Sequence, residues 1–213
     1  RNLESLRILD LSSSQLSSLP SNIFFYNSLE DLNLESNLLT ELDSDTFKNQ
    51  SSLITLRLAG NNFGTLTGDI FSTLDNLRNL YLNNCNLTVI KVNWFSAMSR
   101  LRVLHLQGNL IEVIPYGTLK FENLLEELDF SYNKLEVLDA TSFGSLANLK
   151  SLRMNGNNIS AIDSHFLKQP RDLNVAFFSE NVCVNFDTES YSSSHLSYFS
   201  NCFNQFDRIP VGK

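Results

Sequence analysis

Positive charge is scarce in this chain, and long apolar runs are missing. Its 213 residues hold 16 Lys and Arg against 23 Asp and Glu, a formal net charge of −7. A nucleic-acid footprint needs a basic face, so this balance argues against one. It argues equally against electrostatic docking to an anionic membrane. No apolar run approaches the roughly 20 residues that span a bilayer. No P-loop, dinucleotide fingerprint, nucleophile elbow or zinc signature is present. No cofactor is expected. Cysteine and histidine number three each, and their spacing offers no metal-ligand set.

What the chain does have is a pattern that recurs eight times. It reads Leu, two free residues, Leu, one free, Leu, two free, Asn, one free, Leu. The first leucines are Leu6, Leu29, Leu53, Leu77, Leu101, Leu125, Leu149 and Leu173, with one spacing of 23 and six of 24. A fixed period of this size marks a solenoid. Within a unit, Leu56 and Leu58 alternate with Thr55, Arg57 and Ala59, which is strand periodicity. The Asn then turns the chain, and its side chain can bond backbone groups that lose their ladder partners at the bend. Asn37, Asn61, Asn109, Asn133, Asn157 and Asn181 hold this place, with Ser14 and Cys85 as substitutes.

Two further apolar series complete each unit. One runs Leu19, Leu42, Leu66, Ile90, Ile114, Leu138, Ile162. The other runs Phe24, Phe47, Phe71, Phe95, Leu119, Phe143, Leu167, and it accounts for much of the Phe count of 16. A buried Phe contributes on the order of 1.5–3 kcal/mol over an exposed one. No unit buries this face alone, so the units must stack. The expected fold is an α/β solenoid, a right-handed horseshoe. About eight parallel strands should line its concave face, with loops and short helical turns on the convex side.

The expected organisation is one elongated domain. Residues 1–5 form the tail of a preceding repeat, 6–172 seven repeats, 173–206 the last repeat with a cap, and 207–213 a tail. Leu3 stands three before Leu6, as Leu74 does before Leu77. The chain is therefore expected to be a fragment of a longer precursor. The edge at Leu6, Leu9 and Leu11 is expected to be sticky, making a homodimer or a fused capping partner possible.

Cys85 lies in the asparagine series and is expected as a buried free thiol. Cys183 and Cys202 lie 19 apart. Leu196, Phe199, Cys202, Phe203 and Phe206 recur at helical spacing, so a helix folding over the open end would carry Cys202 to Cys183. The alternative is two unpaired buried thiols. Three sequons, at Asn49, Asn86 and Asn158, together with the capping disulfide, point to an extracellular setting.

The outward strand positions are candidate binding residues. The central row runs Asp10, Asn33, Arg57, Tyr81, His105, Asp129, Arg153, Phe177. Arg57, Tyr81 and His105 make a middle patch with Asn79, Asn83 and Gln107, and Asp129 and Arg153 extend it. Tyr and Arg dominate binding hot spots. His105 beside Asp129 suggests a base and its orienter, but no Ser or Cys nucleophile shares the row, so catalysis is not expected.

These residues resemble extracellular leucine-rich repeat proteins of the 24-residue class, which includes Toll-type receptor ectodomains and many secreted recognition proteins. The resemblance covers residues 6–183. The C-terminal end departs from the common vertebrate cap of four cysteines. Its single Cys183–Cys202 pair looks more like secreted insect leucine-rich proteins, including mosquito immune proteins that act with complement-like factors, although those continue into coiled coils that this chain lacks. The resemblance implies recognition of a protein or a microbial surface ligand on the concave face, with a place in innate immunity. The other reading is a structural or adhesion protein that self-associates through its flank or convex side.

Overall fold

The computed structural model describes residues 5–26, 28–66, 68–119 and 124–209. Leu3 and the last four residues, to which the sequence assigned a preceding repeat and a tail, lie outside them. The chain winds as a parallel-strand solenoid. Its three-residue strands are β1 (Ile8–Asp10), β2 (Asp31–Asn33), β3 (Thr55–Arg57), β4 (Asn79–Tyr81), β5 (Val103–His105), β6 (Glu127–Asp129), β8 (Ser151–Arg153) and β10 (Val175–Phe177). Each pairs in parallel with the next, in register at the repeat period, so that Leu32, Leu56, Leu80, Leu104, Leu128 and Leu152 stand in one row. All six are fully buried. The flanking strand residues face the other way, because side chains alternate along a strand. Two short strands off this sheet, β7 (Val137–Leu138) and β9 (Ala161–Ile162), pair in parallel on a second sheet.

Behind the strands, the asparagines bond in a repeating way. Asn109 Nδ2 donates to Leu106 O in its own turn and to Leu82 O in the turn before. Its Oδ1 accepts the N–H groups of Cys85 and Leu87 in that earlier turn. Asn37 makes the same bonds to Leu34, Leu11, Ser14 and Leu16. One amide therefore satisfies backbone groups of two turns at a bend that no ladder reaches. Cys85 copies only the donor half, with Sγ 3.3 Å from Leu58 O and 3.4 Å from Asn83 O. The Phe63 N–H that an asparagine would have taken goes to the Cys85 carbonyl instead.

The residue before each ladder position has positive φ in all eight turns, at Ser13, Ser36, Gly60, Asn84, Gly108, Tyr132, Gly156 and Glu180. The repeat thus demands a left-handed residue there, a conformation uncommon for any residue but glycine.

The ring series packs as expected at its start. Phe24 stacks on Phe47 at 6.4 Å and Phe47 on Phe71 at 6.3 Å. It then shifts by one residue. Trp94, not Phe95, meets Phe71 edge-on at 5.8 Å, and Phe166, not Leu167, meets Phe143 at 4.6 Å. Both members of each pair are buried, as Ile70 and Phe71 are, so these turns place two large side chains at this point of the coil.

At the C-terminal end, β11 (Asp187–Thr188) pairs antiparallel with β10 and covers its outer edge, which an open parallel sheet would leave unpaired. A 3₁₀ segment (Ser193–Phe199) and helix α1 (Ser200–Phe206) follow. Phe199 packs edge-on against Phe178 at 5.0 Å. Cys183 and Cys202 are joined, with Cα atoms 5.2 Å apart. A bridge closing a loop of about 20 residues contributes around 3 kcal/mol on the chain-entropy model. Cys85 is free and buried.

Candidate binding face

The outward strand positions bring one continuous chain of side chains together. Asp31 on β2 holds Arg57 on β3 at 2.5 Å. The Arg57 guanidinium lies 5.7 Å from the Tyr81 ring centre on β4. Tyr81 meets His105 on β5 edge-on at 5.0 Å. His105 Nε2 lies 3.2 Å from Glu127 Oε1 on β6 without lining up for a hydrogen bond. Glu127 in turn holds Arg153 on β8 at 2.8 Å, and that guanidinium lies 5.5 Å from the Phe177 ring centre on β10. Seven residues on seven strands thus order one another. Rungs stand roughly 4.8 Å apart, so neighbouring long side chains on one face are within reach.

Arg57, Tyr81 and His105, which the sequence grouped as a middle patch, are neighbours in the structure. The base–orienter pairing of His105 with Asp129 that the sequence suggested does not form as a side-chain contact, because Asp129 bonds elsewhere. Asp129, its in-register neighbour, is 6% exposed and folds back to accept from Ser131 N–H at 2.9 Å and Ser131 Oγ at 2.6 Å. Its two short bonds satisfy it locally, so it is not offered to a ligand and does not orient His105. Glu127, two residues earlier on the strand, is the acid that approaches His105 across the diagonal. Asp31 and Glu127 were absent from the expected site, although both occupy the outward row before the central one.

Asn79 donates to Thr55 Oγ1 at 3.1 Å. Asn83 and Gln107 are half-buried, and among the described residues Gln107 Oε1 is a buried acceptor with no donor. Burial pushes the Tyr81 hydroxyl up from its ordinary titration range, with Arg57 opposing. On the flank, hydrogen bonds from Lys150 and Arg102 hold the Glu126 carboxyl below its usual range. Asn49, Asn86 and Asn158 are exposed. Asn86 donates to Asn62 Oδ1 at 2.8 Å. Among the described residues no cluster of three or more His, Cys, Asp or Glu has the geometry to hold a metal ion. None of their helices is long and apolar enough to cross a membrane.

Models of the leucine rich repeat match residues 27–87, 75–135, 100–159 and 123–176, and a further one matches residues 5–26. No curated protein sequence matches. The fold is similar to the TLR13 chain solved in a TLR13–ssRNA13 complex, with TM-score 0.76, 26% identity, and coverage of 91% of this chain but 26% of that one. It is similar to an internalin C2 of Listeria monocytogenes, with TM-score 0.72, 25% identity, and coverage of 93% and 79%. The leucine-rich repeat domain of APL1B, at TM-score 0.67 and 24% identity, covers 84% of this chain and shares its fold. This chain spans about a quarter of the TLR13 chain and 56% of the APL1B one. The repeat pattern, the parallel ladder and the matched models agree: the chain belongs to the leucine-rich repeat family.

Proposed function

We propose that the strand face is an extracellular recognition surface for a protein or microbial ligand, centred on Arg57, Tyr81, His105, Glu127 and Arg153, and that it works without catalysis. The observation that carries this reading is the ordered chain from Asp31 to Phe177. Side chains already held by their neighbours lose less conformational entropy on binding, so more of the contact energy appears as affinity. Arg and Tyr at the centre are hot-spot types. The disulfide and the exposed sequon asparagines support a secretory route. The family resemblance, with TLR13 and APL1B among the similar folds, supports a place in immune recognition. The negative net charge sets this chain apart from RNA binding, since a phosphate backbone calls for Lys and Arg.

The test is a pull-down from extracellular fluid with the wild-type chain, followed by affinity of variants for what it retains. Tyr81→Ala should weaken binding at least tenfold, and the exposed, remote Ser18→Ala should leave it unchanged. Unchanged affinity in Tyr81→Ala and Arg57→Ala together would remove the strand face as the site. One observation favours a second reading, self-association through the flank: Val89, Val92, Leu110, Val113 and Val137 are exposed apolar side chains within three consecutive repeats. Light scattering separates the two, since only self-association gives a concentration-dependent mass with no ligand present.

A further inference from the structure

The strand face carries the same element twice. Asp31 holds Arg57, which lies over Tyr81. Glu127 holds Arg153, which lies over Phe177. Each member of the second trio follows its counterpart by 96 residues, four repeats. Exposure matches as well: the acids are 32% and 34% exposed, the arginines 33% and 31%. The flank repeats the relation, with Arg7 against Glu30 and Arg102 against Glu126. Core packing recurs in every unit and cannot require an acid, an arginine and a ring to recur only at the fourth. The surface therefore repeats one element at an offset of four units, independently of the core.

Two features of the pair decide what it suits. First, both elements run in the same direction, acid to arginine to ring, because they sit on one parallel sheet. A partner with two-fold symmetry would present its two copies in opposite directions. A linear polymer with a directional repeating unit presents them in the same direction. Second, each guanidinium is already neutralised by its own carboxylate, and the chain is acidic overall. A polyanion is repelled, and a polycation meets a blocked acid. What remains open is hydrogen bonding. A guanidinium has five N–H donors and a carboxylate has about four acceptor sites, so each pair keeps unused donors and acceptors side by side. Neighbouring hydroxyls match that arrangement, one donating to the carboxylate and the next accepting from the guanidinium. The ring supplies an apolar surface beside them.

We propose that the two elements together bind one neutral polysaccharide strand laid along the strand face, across four rungs or about 19 Å. This rests on the strand face being the recognition surface, and it names the ligand class.

The experiment measures binding of neutral oligosaccharides of graded length, from disaccharide to dodecasaccharide, in three series: glucans, mannans and N-acetylglucosamine oligomers. In at least one series, affinity should step up about a hundredfold or more once the oligomer spans both elements, as two linked contacts do. Arg57→Ala and Arg153→Ala should each abolish the step and leave the short-oligomer affinity. Asp31→Asn and Glu127→Gln, which keep the shape, should act the same way, with circular dichroism confirming the fold. A step that is lost in Arg57→Ala but kept in Arg153→Ala would overturn the two-element proposal while leaving the strand face as the site. A step kept in both would overturn the strand face too. No binding in any series, or binding only of a repetitive peptide used as control, would overturn the ligand class.

Discussion

Asn109 reaches across one turn of the coil to Cys85: its Oδ1 accepts the Cys85 N–H at 3.0 Å. The same oxygen takes Leu87 N–H, and Nδ2 serves Leu82 O and Leu106 O. Asn109→Ala removes the partner of the Cys85 and Leu87 N–H groups and of Leu82 O inside the core, while Leu106 O keeps Asn133 Nδ2. A buried backbone group left unpaired costs about 1–3 kcal/mol, so the variant should lose about 3 kcal/mol or more in denaturant unfolding. Exposed Asn158→Ala, two turns on, should change stability by under about 0.5 kcal/mol. Equal effects would refute the ladder account.

Cys85 should be inert in the folded protein. It is fully buried, and burial pushes its thiol up to about 11. The thiolate is the reactive form, so alkylation at neutral pH should follow unfolding and not precede it. Mass spectrometry after a short exposure to iodoacetamide checks this. Rapid labelling of the native protein would show that the ladder is open at the fourth turn.

Gly156 and Gly64 separate backbone strain from crowding. Both have positive φ, at +68° and +60°. A Cβ at Gly64 meets nothing within 4 Å, whereas one at Gly156 would come within 2.4 Å of the Tyr132 ring. Gly64→Ala should cost about 1–2 kcal/mol, the left-handed penalty alone. Gly156→Ala should cost more, and adding Tyr132→Ala should restore part of the difference. No restoration would mean that the ring moves aside freely.

Glu126 should titrate low, because Lys150 and Arg102 both bond its carboxylate. A depressed folded value means the pairing contributes stability at pH above the ordinary Glu value of about 4.3. That contribution is lost as pH falls through the folded value. The group is close to solvent, so the contribution should stay below about 1 kcal/mol and shrink in salt. Carbon-detected NMR titration checks the direction. Lys150→Ala should move the midpoint upward, and an unmoved midpoint would refute the pairing.

The repeat made most of the fold legible. Leu, Leu, Leu and Asn at fixed spacing identify strand, inward row and bend, because strand alternation is local and the period tells which turns stack. The bridge between Cys183 and Cys202 was legible for a similar reason: Phe199 and Cys202 share a helical face that needed covering. The antiparallel β11 was not, since Asp187–Thr188 has no apolar alternation and forms only because the edge of β10 is there to pair with.

The sequence by itself determined the solenoid, its register and the list of residues facing outward, since all three follow from a period of 24 and an alternation of two. Only the tertiary structure decided which of those outward residues meet. The Tyr81–His105 contact follows the register, but the partner of His105 is Glu127 and not Asp129, because a short Asp side chain bonds its own Ser131 before it can reach a neighbouring strand. The choice between Trp94 and Phe95 against Phe71 was settled in the same way, by the space left in the stack and not by position in the repeat.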